Sequence, residues 1–223
     1  MKSPKTLKAQ NIGWIWAVVA GDALALAAIA FPSMLDQAAS WLGSGRIAGA
    51  SIAPLVVLLL NSLLPSSIKE ILVFWRVRDV LPGNRAFSVH APGDPRIDLE
   101  RLRAAAGDFP TDPRDQNALW YRLFKKVNGD PIVAEAHRYF LLFRDLAALS
   151  IVLAVVAPTA LYAVGAASVA IWSALGFFLI QYGATAIAAR HHGVRLVTNV
   201  LALHGAADDP SPCKQKAVKR SRT

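Results

Sequence analysis

Apolar residues in this chain come in blocks, not at the regular intervals of a water-soluble domain. Four blocks are long enough to cross a bilayer: residues 14–31, 47–65, 146–164 and 169–189. A span needs roughly 20 mostly apolar residues to traverse about 30 Å of hydrocarbon, and only a helix with internally satisfied backbone can do so here. No charged residue occurs from Ile47 to Ile68 or from Leu146 to Ala189. The pattern predicts an all-α membrane protein built from two transmembrane helical hairpins. The first hairpin occupies residues 1–65 and the second 146–189. A charged helical module at 66–145 lies between them, and a basic tail runs over 190–223.

Within the module, the run IKEILVFWRVRDVL (68–81) reads as a helix that lies along the headgroups or tucks under the bundle. The alternative is a plain continuation of the second span. Ser67 and Glu70 have capping-box spacing, and Pro82-Gly83 supplies the stop. Residues 81–95 are rich in turn formers and read as a loop. Three helix starts follow at Asp94-Pro95, Asp112-Pro113 and Asp130-Pro131. Aspartate accepts from the orphan amides of a first turn, and proline suits the first helical position. From Pro131 no breaker appears before the apolar block, so a continuous helix over 131–164 is expected, about 51 Å long at 1.5 Å per residue.

Charge then fixes an orientation. Of 24 basic residues, only Arg46 lies in the 32–46 connection, beside Asp36, while the rest fall before the first span, in the module or after the fourth span. The positive-inside rule therefore places both termini and the module in the cytoplasm, and composition points to a bacterial inner membrane. The net charge of +9 follows that topology, and nucleic-acid contact is permitted without being required. Ala28-Ile29-Ala30 loosely fits a cleavage site, but the block is longer than a signal h-region and contains Asp22, so a retained span is expected. Cys213 stands alone in the tail, which excludes an internal disulfide. The tail KQKAVKRSRT suits attraction to anionic membrane lipids.

Asp22 is the residue of most interest. A carboxylate inside a span costs about 2.5–3.5 kcal/mol on insertion scales, so such groups face a bundle interior or a watery path. Asn61, Gln181 and Tyr182 are polar groups that could meet it. The functional reading is a pore lining or proton site; the plainer one is a neutral Asp22 that hydrogen-bonds neighbouring helices. Gly21 with Ala25, Gly49 with Ala53 and Ala170 with Ala174 allow close helix approach, and Pro54 and Pro158 can kink their spans. Arg76, Arg78, Arg85, His90, Trp120 and Tyr121 form the candidate surface for a soluble partner protein. Arg85 and His90 also have the Arg-x4-His spacing of HEPN-class ribonucleases, though in a loop. His191-His192 read as a basic anchor and His137 as a solvated or packed helix residue. No phosphate-cradling loop, nucleophile elbow, HExxH or paired-Cys pattern occurs, so neither catalysis, a cofactor nor a metal is expected.

Two segments carry a resemblance. LVFWRVRDVLPGNRAFS (72–88) after the second span and QNALWYRLFKK (116–126) before the third resemble segments of a family of bacterial four-span inner-membrane proteins. That family supplies no activity to transfer residue by residue. The layout is also similar to four-span membrane effectors of bacterial immune systems. The continuous helix expected from 131 into the third span, the intramembrane Asp22 and the absence of a catalytic constellation favour a non-enzymatic, homo-oligomeric sensor or effector whose module answers a partner and alters the bundle, with pore formation as one outcome. A membrane anchor that recruits a soluble partner is the alternative, and a membrane-associated RNase a distant third.

Overall fold

The computed structural model describes residues 7–30 and 64–206. Residues 47–63 of the second block, with Asn61, Pro54 and the Gly49–Ala53 pair, lie outside the described residues, as do Arg46, Asp36 and the tail beyond Ala206. Every regular element among the described residues is helical. These are α1 (Leu7–Ala30), α2 (Ser66–Phe74), a compound segment described below, α3 (Leu99–Ala106), α4 (Pro113–Val127), α5 (Pro131–Ala163) and α6 (Ser168–Gly205). Three of them, α1, α5 and α6, are long and apolar enough to cross a membrane. The chain divides into two compact units. The first holds the described residues up to Val80 together with Ala134–Gly193, and the second holds Leu81–Val133 with the described residues from Val194.

In the first unit, α1, α5 and α6 share one apolar core. Val19, Leu142, Leu146, Leu149, Leu153 and Phe178 are buried together. Ala147, Ala154, Ala174, Ala186 and Ala189 are buried too, and side chains that small let helix backbones come close. Of the small-residue pairs, Ala170 and Ala174 are both buried, whereas Gly21 is exposed. Asn11 Nδ2 donates to Arg138 O at 2.8 Å. Val19, eight residues beyond Asn11, shares the core with Leu146, eight residues beyond Arg138, so these two helices run parallel. By that register Trp14 is level with Leu141 and Asp22 with Leu149.

The distribution of polarity on α1 is inverted. Asn11 and Asp22 are 3% and 6% exposed, while Trp14 and Leu24 are 64% and 73% exposed. A helix solvated by water does the opposite, because burying an amide or carboxylate while exposing indole and leucine costs free energy on both counts. α6 likewise turns Trp172 and Ile180 outward.

The unbroken run from Pro131 is one helix to Ala163, as its lack of breakers predicts, and Asp130 caps it through Ile132 N at 2.8 Å. α4 starts where Asp112-Pro113 predicts: Asp112 accepts from Arg114 N and Asp115 N. Three expectations are corrected. First, α3 starts at Leu99, capped by Asp98 through Glu100 N and Arg101 N, because Asp94 is engaged by Arg96. Second, α2 ends at Phe74 instead of Leu81, since Trp75 adopts a left-handed backbone (φ 53°); it also begins at Ser66 without a side-chain cap bond, so the Ser67–Glu70 box does not form. Third, residues 82–93 are not a loop. They form a 3-10 turn (Pro82–Arg85), a π turn (Ala86–His90) and a short α turn (Ala91–Gly93) in succession. The fourth apolar block also continues as helix past Ala189 to Gly205.

The second unit packs that compound segment on α4. The segment changes from 3-10 to π register at Ala86, and the next two amides, of Phe87 and Ser88, take an acceptor from outside it. Buried Gln116 supplies one: its Oε1 accepts from Phe87 N and Ser88 N, both at 3.2 Å, and from Ser88 Oγ at 3.1 Å. Phe87 stacks on Phe109 at 4.9 Å. Gly83 packs closely here: a Cβ would collide with Asn117 Oδ1 and press on Trp120, so the Asn117 side chain would have to shift. Arg96 reaches Thr198 Oγ1 and Asn199 Oδ1 at 3.2 Å, which joins this region to the end of α6.

Candidate functional site

The intramembrane polar candidates separate into two places. Gln181 Nε2 on α6 donates to Asp22 Oδ2 on α1 at 3.3 Å, so these two do meet inside the helix bundle. Ser150 on α5 is fully buried and level with them by the register above, its hydroxyl donating to Leu146 O at 2.9 Å. Tyr182 belongs elsewhere. One residue further along α6, it turns away and donates to Leu72 O at 2.7 Å, while its oxygen accepts from Trp75 Nε1 at 2.9 Å.

That second place is the C-terminus of α2, where a helix leaves carbonyl groups without partners and carries a partial negative charge. Side chains of α6 satisfy it. Tyr182 takes Leu72 O, and Arg190 Nε donates to Val73 O. The Arg190 guanidinium also lies 3.5 Å above the Trp75 ring, a cation–π contact. These groups explain how Trp75 holds a left-handed backbone that an indole side chain otherwise disfavours.

The sequence did not single out the most heavily charged feature of the first unit. Lys69 Nζ and Asp145 Oδ1 meet at 3.2 Å with both side chains 6% exposed. Arg144 Nη2 reaches the same oxygen at 3.2 Å, and Arg144 Nη1 lies 3.9 Å from Glu70 Oε1. Two cations and two carboxylates thus form a neutral, buried quartet that fastens α2 to α5. Burial pushes the Glu70 carboxyl upward, and Arg144 only partly offsets it. The signal available in the sequence was a pair of opposite adjacent charges inside an apolar run, KE in SSIKEILVF and RD in FLLFRDLAAL. The two pairs are 75 residues apart, and nothing local joins them.

The candidate partner surface is distributed over both units. Arg76 and Arg78, in the first, are exposed. Of the residues in the second, Tyr121 is exposed, Trp120 is half-buried and stacked on Phe124 at 5.5 Å, and Arg85 and His90 are half-buried. Arg85 and His90 sit on consecutive helical turns, not in a loop, close enough to interact electrostatically. Burial first, and the Arg85 charge second, hold the His90 imidazole below its ordinary pKa, so it is neutral at pH 7. His192 is packed between the rings of Tyr139 and Phe143, at 5.1 and 5.4 Å. Among the described residues no group of three or more His, Cys, Asp or Glu is arranged to hold a metal ion. No protein-family profile, curated protein or solved structure matches the chain.

Taken together, the geometry offers a buried hydrogen bond between two membrane-length helices, a neutral charge cluster and a side-chain cap. All three fix helices to one another.

Proposed function

We propose that this chain is an integral protein of a bacterial inner membrane, with four spans, both termini and the 66–145 module in the cytoplasm. We read it as a non-enzymatic, homo-oligomeric sensor or effector. Binding of a soluble protein partner to the module changes the bundle and opens or perturbs the membrane. The observation that carries the membrane part is the inverted polarity of α1, with Asp22 and Asn11 inside and Trp14 and Leu24 outside. Support for the coupling comes from α5 and α6, each one uninterrupted helix with residues in both compact units. In this reading the Asp22–Gln181 pair is the polar element that a rearranged bundle would expose to water.

The test is expression with and without the products of neighbouring genes, while dye entry and membrane potential are followed. Leakage by wild type that is weakened in Asp22→Asn supports the effector reading, and absence of leakage under every condition removes it. One observation favours the second reading, a static anchor that recruits a soluble protein. The quartet and the α2 cap brace the first unit firmly. Partner recruitment without any change in permeability would select that reading.

A further inference from the structure

We propose that residues 75–79, with Arg190, bind the phosphate of an anionic phospholipid at the cytoplasmic face. The proposal rests on the membrane topology proposed above. The segment Trp75-Arg76-Val77-Arg78-Asp79 presents Trp75 and Val77 at 56% and 83% exposure, with Arg76 and Arg78 exposed beside them. Neither of these arginines makes an ion pair among the described residues. Arg190 lies over the Trp75 ring and close enough to Arg76 for the two guanidinium groups to repel each other. Arg76 and Arg78 thus follow Trp75 directly in the chain while Arg190 stacks on its ring, so an anion beside this residue would meet guanidinium donors from two segments.

Backbone strain accompanies the cluster. Trp75 and Asp79 bracket the segment, and both are left-handed, at φ 53° and 48°. Side chains with a Cβ adopt that region at a cost and persist there only when their surroundings enforce it. At Trp75 the enforcing contacts are its own amide to Ile71 O at 2.8 Å, its indole to Tyr182 and the Arg190 stack. The result is a fixed exposed turn that alternates apolar and basic residues.

Its depth suits headgroups. Gly193 packs on Phe140, so three residues back along antiparallel α6 Arg190 is level with Phe143, within a turn of Leu141, where Trp14 opens the apolar stretch of α1. Arg190 is itself the first charged residue after the apolar run of α6. Arginine and tryptophan at this level are the residues that meet lipid phosphates, and guanidinium forks match phosphate oxygens.

The experiment uses the full chain purified in an uncharged detergent. It is offered equal amounts of phosphatidylglycerol and phosphatidylcholine, and lipid retention is read by native mass spectrometry. Wild type should retain phosphatidylglycerol preferentially. Arg76→Gln with Arg78→Gln should lower that retention by about tenfold to thirtyfold, the loss expected for two cationic lipid contacts. Arg114→Gln with Arg122→Gln, an equal charge change at exposed positions of the other unit, should leave it unaltered. Equal losses in both variants, or none in either, overturn the site. Displacement of the lipid by millimolar inorganic phosphate would overturn the lipid assignment in favour of a free anion. A carbonate wash separates the two levels of the account. If the wash releases the chain from membranes, the topology fails together with the site. If it leaves the chain membrane-bound without lipid preference, only the site fails.

Discussion

Replacing Lys69 with methionine keeps most of the side-chain volume and deletes one cation from the quartet. Lys69 and Asp145 are almost fully enclosed and 3.2 Å apart. Removing one member of such a pair strands the other charge away from water, at a cost of about 3–5 kcal/mol. Arg144 remains 3.2 Å from the same Asp145 oxygen, so Lys69→Met belongs at the lower end, about 3 kcal/mol. Asp145→Leu leaves two cations facing Glu70 alone and belongs at the upper end, about 5 kcal/mol. The double variant keeps only the Arg144–Glu70 pair, which is balanced. Its expected loss is no more than about 2 kcal/mol, because a buried ion pair replaced by apolar groups is often neutral. The assay is denaturant unfolding of the detergent-solubilised chain followed by helical circular dichroism, with linear extrapolation for each variant. A Lys69→Met loss under about 0.5 kcal/mol, or a double variant as poor as the sum of the singles, would refute the buried quartet.

Other perturbations test separate contacts. Gln116→Ala removes the side-chain acceptor of the Phe87 and Ser88 amides and should destabilise the second unit by about 2–3 kcal/mol, seen as early exchange of those two amides. Gly83→Ala should cost about 1–3 kcal/mol through its collision with Asn117, and adding Asn117→Ala should recover part of that loss in the same unfolding assay. Arg96 holds the Asp94 carboxyl down at about 2. A depressed carboxyl pKa stabilises the fold above the ordinary carboxylate range, and the contribution disappears as pH falls through about 2. Wild type should therefore lose stability between about pH 4 and 2, and Asp94→Asn should show a shallower decline over that window. For the α2 cap, Tyr182→Phe removes the donor to Leu72 O and the acceptor for Trp75 Nε1, and should shift the tryptophan emission of the chain.

How far these features could be read from residue order depends on how local their causes are. α5 was legible because nothing from Pro131 to Ala163 halts a helix except Pro158, and a membrane-length helix tolerates one proline. α4 was legible because its cap, Asp112-Pro113, is adjacent to it. The end of α2 was not. Its terminating carbonyls are satisfied by Tyr182 and Arg190, more than 100 residues away, and local propensity carries the pattern on to Leu81. Residues 82–93 look like a loop because Pro and Gly are frequent there. Yet Pro82 and Pro92 stand at first or second helical positions where no amide is needed, and Gln116 accepts from the two amides that follow the register change. The continuation of α6 was present in the spacing of Leu196, Val197, Val200 and Leu201, all buried, behind the charges of Arg190-His191-His192. Of the intramembrane polar residues, composition identified Asp22 and Gln181, and only the assembled helices separate Gln181 from its neighbour Tyr182.

Lipid must cover the outward faces of α1 and α6 if these helices cross a membrane. Spin labels on single cysteines at Leu24, Trp172 and Ile180, with Cys213 changed to serine, report this directly in reconstituted vesicles. Relaxation by oxygen, which concentrates in hydrocarbon, should exceed relaxation by a water-soluble nickel chelate at all three positions. Stronger relaxation by the nickel chelate at Leu24 and Ile180 would place water on those faces and contradict the account.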